Sequence, residues 1–150
     1  MTLSLEQKIT DILIEIRLQL EVDFVGLAMA AENADGEIVI KWKYVSNNRN
    51  NRYQKIVLQV GKGIAGIVWK TARPYVVEDA KKDIQETKDF PLTITEQLVS
   101  MAAIPLLNGN EVQAVLLGGF RKKKKLNQEF IDQLISLCTE INPLLLEVRG

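Results

Sequence analysis

The chain has 150 residues, a length typical of one domain with a single well-filled core. Its 19 basic and 19 acidic residues give a formal net charge of zero, which argues against broad electrostatic attraction to nucleic acid or to an anionic membrane. No hydrophobic run reaches the roughly 18 residues that a membrane span needs. The first twenty residues mix charged with hydrophobic side chains, unlike a signal peptide, so we expect a cytoplasmic protein.

The sequence contains no histidine and a single cysteine, Cys138. Serine triads, most catalytic zinc sites and imidazole acid–base chemistry all require histidine. One cysteine forms neither an internal disulfide nor a Cys-x-x-Cys redox pair. Cys138 continues the hydrophobic face of Ile131, Leu134 and Ile135, which predicts that it packs in the core. We therefore expect no catalytic residues, no metal and no cofactor, and a protein that is not an enzyme.

The first third of the chain predicts a helix followed by a hairpin. Over residues 4–20, Ser4 and Gln7 fit a capping box and hydrophobic residues recur at helical spacing. Two hydrophobic or alternating runs then flank a turn at residues 33–36. The alternation predicts that four residues of the second strand share one face: Ile38, Ile40, Trp42 and Tyr44.

Short strands and helices are predicted for the middle of the chain. The runs KIVLQV (55–60) and PYVVED (74–79) are typical of short strands. One or two short helices follow between residues 80 and 100. The clearest hairpin joins two hydrophobic strands at Asn108-Gly109-Asn110.

A long final helix is predicted to begin after the N-cap Asn127 and to be kinked or ended by Pro143. The basic run Arg121 to Lys125 precedes it. Because no aromatic residues are interleaved, we interpret this run as a solvated loop, with docking to an acidic partner surface as the alternative. The order of elements predicts an α+β domain with a mostly antiparallel sheet.

The stretch GKGIAGIVWKTARPYVVED begins at Gly61 with the G-x-G-x-x-G pattern of dinucleotide-binding loops. The preceding run, however, is broken by Lys55 and Gln59, whereas a Rossmann first strand is hydrophobic throughout. Only about ten residues separate the glycines from Pro74, which is short for a crossover helix. A hairpin follows instead of further βαβ units. The pattern therefore disfavours dinucleotide binding.

We interpret the role of the glycines as structural. Gly61 and Gly63 allow a sharp turn into a helix, and Gly66 allows close packing. Such a turn leaves backbone N–H groups at the helix start, and together with the helix dipole they form an anion site without a charged side chain. Lys62 is expected to be solvated. The other neighbouring residues are apolar, so the motif predicts a small pocket that suits a small anion, without selecting one.

Three segments together resemble a GAF domain: VGKGIAGIVWKTARPYVVEDAKKD, SMAAIPLLNGNEVQAVLLGGF and the closing helix. The family pattern is filled by Gly61 to Gly66, Thr71, Pro74, Asp79, Ser100, Pro105 and Gly118. The resemblance covers nearly the whole chain from Ser4 and implies one GAF domain over residues 1–150. It implies a central, mostly antiparallel sheet flanked by the N- and C-terminal helices, with helices on one side and frequent dimerisation through the terminal helices. A pocket is expected between the sheet and the segment over it.

GAF domains bind varied ligands, so the fold alone does not select a function. One stand-alone class reduces free methionine sulfoxide with cysteines in the pocket segment, but residues 61–100 contain none here. The chain is more similar to the stand-alone nitrate receptors of nitrate- and oxygen-responsive two-component systems, which act beside a sensor histidine kinase. That resemblance implies six ligand-binding residues: Trp42, Gly63, Ile64, Ala65, Leu92 and Ile94.

In this hypothesis, the amides of Ile64 and Ala65 donate to nitrate, while Trp42 and Ile94 exclude water. An aromatic residue is expected in the segment over the pocket in relatives, and Leu92 departs from that pattern. A partly buried helix terminus contributes up to about 2 kcal/mol, and each charge-assisted hydrogen bond about 1.5–3 kcal/mol. These magnitudes predict reversible micromolar-to-millimolar binding.

The sequence thus predicts a receptor for nitrate, or for nitrite or another small anion, that modulates a sensor histidine kinase. A homodimer through the terminal helices is a further expectation, and neither nucleic acid nor membrane is an expected partner. Two alternatives stay open. The first is a ligand-free scaffold that acts by dimerisation or kinase docking. The second is a GAF sensor of another small molecule such as a cyclic nucleotide, although the pocket helix lacks the polar set that a purine and a phosphate need.

Overall fold

The computed structural model describes residues 3–84 and 86–149. The elements in chain order are α1 (Leu5–Leu20), β1 (Phe24–Glu32), β2 (Ile38–Ser46), α2 (Gly63–Thr71), β3 (Tyr75–Val77), α3 (Ala80–Asp83), α4 (Pro91–Glu96), β4 (Ser100–Asn108), β5 (Glu111–Phe120), α5 (Gln128–Leu137) and α6 (Ile141–Arg149). Short 3₁₀ turns lie at Arg52–Lys55, Thr87–Asp89 and Cys138–Glu140. In the described ranges, no helix is long and apolar enough to cross a membrane.

The five strands form one sheet in the order β2-β1-β5-β4-β3, and every neighbouring pair is antiparallel. The two predicted hairpins supply β1–β2 and β4–β5. Their turns contain Gly36 and Gly109, both with positive φ. Pairing of β1 with β5 joins the two hairpins at the middle of the sheet. The predicted α+β class with an antiparallel sheet is confirmed.

The terminal helices α1, α5 and α6 pack on one side of the sheet around a core that includes Leu13 and Leu134. The caps follow the sequence signals, because Ser4 Oγ accepts a hydrogen bond from the Gln7 amide (3.1 Å) and Asn127 Oδ1 accepts one from the Phe130 amide (2.9 Å). Cys138 lies in this core with 1% of its surface exposed, which confirms the packing predicted for it.

The final helix is interrupted before Pro143 rather than at it. A 3₁₀ turn at Cys138–Glu140 separates α5 from α6, and Pro143 lies in the first turn of α6. Proline lacks an N–H and its ring clashes with the carbonyl four residues earlier, which is that of Thr139. The predicted break is therefore displaced toward the N-terminus by one turn.

The helices α2, α3 and α4 cover the opposite side of the sheet around a second core, whereas the family resemblance implied helices on one side. The predicted strand at residues 55–60 is not formed. Only one bridge occurs there, in which Leu58 and Ile40 exchange hydrogen bonds of 2.8 and 2.9 Å. The 3₁₀ turn that ends at Lys55 and the turn that begins at Gln59 leave no room for a longer ladder.

The predicted single face of β2 is also wrong, because the strand contains a bulge. Leu27 of β1 pairs with Tyr44, whereas the next residue, Ala28, pairs with Trp42, so Lys43 is an extra residue. As a result, Tyr44 faces the terminal helices and Trp42 faces the second core. The bulge thus places the tryptophan on the side of the sheet that carries α2 and α4.

Candidate functional site

The glycine motif forms the tight entry into α2. Gly61 and Gly63 have φ values of +91° and +66°, a region that L side chains rarely adopt. The Gly61 amide donates to the carbonyl of Gly66 (2.8 Å), which closes the loop onto the helix. A Cβ atom on Gly66 would lie 2.5 Å from the backbone oxygen of Gln59. The interpretation of the glycines as a sharp turn and a close approach is confirmed.

The start of α2 presents buried backbone donors. Lys62 is the N-cap, and its side chain makes no capping hydrogen bond. Gly63 is buried, and Ile64 and Ala65 are 2% and 0% exposed. Among the described residues, the amides of these three residues donate to no backbone carbonyl outside the helix, as is general for the first turn of a helix. A buried donor without a partner costs about 1–3 kcal/mol, so this arrangement favours a bound acceptor.

Trp42 belongs to the same hydrophobic cluster as Ile64 and Ala65. Only 3% of its surface is exposed, and its Nε1–H has no hydrogen-bond partner within the described residues. A buried tryptophan N–H is usually satisfied. The cluster therefore contains an unpaired side-chain donor in addition to the unpaired amides of the helix start.

The helix α4 contributes Leu92 to this cluster, where it is 2% exposed. Its neighbour Thr93 is also buried and donates to Met101 Sδ (3.8 Å). In contrast, Ile94 is 55% exposed and lies on the outer face of α4. Successive helix positions differ by about 100°, so Leu92 and Ile94 point away from each other. The expectation that Ile94 shields the pocket from water does not fit this position.

The structure therefore places four of the six expected residues in one cluster, with buried Gly63 next to it at the start of α2, and leaves Ile94 outside. It also adds Phe90, which the sequence interpretation missed. Phe90 packs against the cluster, and its ring centroid lies 6.2 Å from that of Tyr75. Together with Gly63 and Leu58 it lines a cleft of about 460 Å³ beside the start of α2. An aromatic residue was expected in this segment in relatives, and the position of Phe90, two residues before Leu92, was the signal that this chain carries one nearby.

The chemistry of the site is that of hydrogen-bond donors in apolar surroundings. Lys62, Lys88 and Asp89 line the neighbouring cleft, and all three are exposed. Within the described ranges, no three histidine, cysteine or acidic residues are grouped to hold a metal ion. Cys138 lies on the opposite side of the sheet, and burial raises its pKa to about 12. The arrangement is suited to holding a small acceptor such as a weakly hydrated anion.

A sequence profile of the GAF domain family matches residues 4–144. The chain belongs to the GAF domain family. Among solved structures, this GAF domain is similar to the NreA protein of Staphylococcus aureus, in a form mutated in its nitrate binding site. The two share 34% identity with a TM-score of 0.75, and the match covers 82% of this chain and 90% of that one. A hypothetical protein from the same organism is 35% identical, with a TM-score of 0.74 and coverage of 81% and 98%.

More distant GAF domains share the fold alone. A type II free methionine-R-sulfoxide reductase from Thermoplasma acidophilum is 15% identical, with a TM-score of 0.73 and 96% coverage of both chains. A comparison with curated proteins found no significant match. The predicted GAF fold and the resemblance to the nitrate-receptor class are thus confirmed.

Proposed function

We propose that this GAF domain is a nitrate receptor that binds its ligand at the start of α2 and performs no catalysis. The observation that carries the proposal is the unpaired Nε1–H of Trp42, buried in the same apolar cluster as the unpaired amides of Ile64 and Ala65. A planar anion with three acceptor oxygens offers an acceptor to more than one N–H donor of this cluster. The similarity to an NreA protein with a nitrate binding site supports the same ligand.

Nitrate suits this environment because it is weakly hydrated, so its transfer into an apolar pocket costs less than that of a strongly hydrated anion. The helix start contributes up to about 2 kcal/mol, and each hydrogen bond to a charged acceptor about 1.5–3 kcal/mol. After the costs of binding are subtracted, these terms are consistent with micromolar-to-millimolar affinity. Nitrite offers similar acceptor chemistry and is the nearest competing ligand.

We further propose that nitrate changes how the protein docks to a sensor histidine kinase of a two-component system. By linkage, the kinase and nitrate must then alter each other's affinity by the same factor. We also infer that the terminal helices can form a homodimer. In support, they expose Leu18 on α1, Ile135 on α5 and Leu146 on α6, at 63%, 43% and 50%.

Isothermal titration calorimetry with nitrate, in buffer that contains chloride as competitor, tests the ligand. We expect saturable binding near one nitrate per chain. Ile64→Trp should fill the site and abolish the heat of binding. Ile38→Trp is the matched control. Ile38 is 60% exposed on β2, so this variant should bind nitrate like the wild type. A flat titration of the wild type refutes nitrate, and unchanged binding by Ile64→Trp refutes the site.

A ligand-free scaffold is the second candidate function. The close packing of the cluster favours it, because Ile64, Ala65 and Leu92 are all at most 2% exposed. A thermal shift assay separates the candidates. A shift with nitrate but not with chloride supports the receptor, and a shift with cyclic nucleotides supports a different GAF ligand. No shift with any of these ligands supports the scaffold.

A further inference from the structure

A second cleft, of about 580 Å³, lies on the outer side of α4 between α3 and the segment that follows β5. We call it the α4 cleft, and the residues that line it include Arg49, Lys81, Ile94, Leu98 and Arg121. The described residues that line it include these three basic side chains and no acidic one. Its apolar surface includes Ile94, which is 55% exposed. The cleft therefore combines positive charge with an exposed hydrophobic side chain.

The basic run that follows β5 begins at Arg121, which lines this cleft. Lys122 to Lys125 are all exposed. Lys123 Nζ lies 3.9 Å from Asp79 Oδ2, and Asp79 is the N-cap of α3, which carries Lys81. The Lys124 amide also donates to Ser100 Oγ (2.8 Å), which fixes the backbone of the run. On a chain with zero net charge, this clustering creates a local positive potential.

The inner wall of the cleft is held by Arg121. Its side chain donates to the carbonyl and Oε1 of Glu96, and to the carbonyls of Asp23 and Asn47, at 2.7–3.2 Å. Glu96 balances the charge of Arg121, and Asp79 pairs with Lys123, so the net positive charge of the cleft comes from Arg49 and Lys81. A wall fixed in this way loses little conformational freedom when a ligand binds.

We propose that the α4 cleft binds an acidic segment of a partner protein, which places one apolar side chain against Ile94. The positive charges select acidic residues, and the exposed isoleucine selects an apolar anchor. Nucleic acid fits less well because none of the described lining residues is aromatic, and base stacking on aromatic side chains supplies much of single-strand binding. This inference goes beyond nitrate binding, because it assigns a partner surface on the opposite face of α4.

Fluorescence anisotropy tests the proposal with a fluorescein-labelled peptide in which one leucine is flanked on both sides by glutamates. We expect binding that weakens as salt is added, since exposed charges are screened. Ile94→Glu and the double change Arg49→Glu with Lys81→Glu, at two exposed basic residues that line the cleft, should each weaken binding by about tenfold. The titration contains no nitrate, so its result does not depend on whether the chain binds nitrate.

Two variants serve as controls. Ile38→Glu changes an exposed isoleucine on β2, and Lys8→Glu changes an exposed lysine on α1, so both should bind the peptide normally. The proposal is overturned if the wild type does not bind the peptide, or if the control variants lose as much affinity as the cleft variants. Tighter binding of a labelled oligothymidine would assign the surface to nucleic acid instead. A dimer in sedimentation velocity that Ile94→Glu dissociates would assign it to a second copy of the chain.

Discussion

The Oε1 atom of Glu96 lies 2.7 Å from Nη2 of Arg121, and the glutamate has no exposed surface. The same oxygen accepts a hydrogen bond from the backbone of Arg49 at 2.8 Å. The pair therefore connects the C-terminal end of α4 with the loop after β2 and with the end of β5. Because the other oxygen, Oε2, has no partner within the described residues, the carboxylate depends on this one set of contacts.

The first prediction follows from this pair. Glu96→Ala leaves the charge of Arg121 without its partner and should lower the free energy of unfolding by about 3–5 kcal/mol. Adding Arg121→Met to the Glu96→Ala variant should recover part of that loss, because the unpaired charge is then removed. Urea denaturation of the four proteins of this double-mutant cycle measures the coupling. Additive losses from the two substitutions would show that the pair does not act as a unit.

The second prediction concerns the turn into α2. Gly63 and Gly109 have φ values of +66° and +64°, so alanine is strained at both by about 1 kcal/mol. A Cβ at Gly63 would also lie 2.7 Å from Leu58 Cδ2, whereas one at Gly109 would have no atom within 4 Å. Gly63→Ala should therefore destabilise the protein by about 1–3 kcal/mol more than Gly109→Ala. Thermal unfolding of both variants tests this, and equal losses would contradict the close packing at Gly63.

The third prediction separates the two roles of Trp42. If its Nε1–H donates to nitrate, Trp42→Phe should raise the Kd for nitrate by about tenfold, which corresponds to roughly 1.4 kcal/mol. Trp69→Phe is the control, because Trp69 is half-buried on α2 at the edge of the same cluster. Calorimetry with nitrate measures both variants. A Kd that Trp42→Phe leaves unchanged would limit Trp42 to a packing role.

The fourth prediction uses the thiol of Cys138. Burial raises its pKa from the ordinary 9.0 to about 12, so above pH 9 the unfolded chain loses this proton and the folded protein keeps it. The thiol therefore contributes stability below pH 9, and the contribution is lost as the pH rises toward 12. Cys138→Ala should lower the free energy of unfolding by about 1 kcal/mol at neutral pH. Above pH 9 only the wild type loses this contribution. The difference in unfolding free energy between the wild type and Cys138→Ala should therefore shrink, by at most about 1.4 kcal/mol per pH unit.

Urea denaturation of the wild type and of Cys138→Ala, at neutral pH and at several values above pH 9, measures this difference in unfolding free energy. The pKa of Tyr44 is also raised, by burial and then by the charge of Glu6, but this effect is common to both proteins and cancels in the difference. Rapid reaction of Cys138 with a disulfide reagent under native conditions would contradict its burial.

Local signals predicted the caps, both hairpins and the entry into α2, because each depends on residues close in sequence. Ser4 and Asn127 cap helices through residues three positions away. In contrast, the face that Trp42 occupies depends on the bulge at Lys43, which is defined by pairing with another strand. The alternation of residues within one strand does not reveal that extra residue, so the sequence assigned Tyr44 to the wrong face of the sheet.

In the candidate site, too, the features set by neighbouring residues were predicted, whereas those set by distant contacts were not. The helix-start residues Ile64 and Ala65 were predicted correctly as buried, because the glycine pattern fixes the turn that precedes them. The orientation of α4 depends on the contacts of Leu92 and Thr93 with the sheet side and on the distant Arg121. Those contacts leave Ile94 outside and place Phe90 beside the start of α2, and the local sequence alone does not specify either.

The six residues of α4 are too few to form a stable helix by themselves, since isolated helices shorter than about 12–15 residues are marginal in water. Its N-cap, Phe90, makes no side-chain capping bond, and the helix ends at Gln97 in the left-handed conformation. The order of α4 therefore comes from what touches it: Leu92 and Thr93 on the inside, and Arg121 at its end. Its amides should exchange with solvent deuterium through local opening, and any molecule bound to either face should slow that exchange. Hydrogen exchange of this six-residue helix would then report binding at either of its two faces.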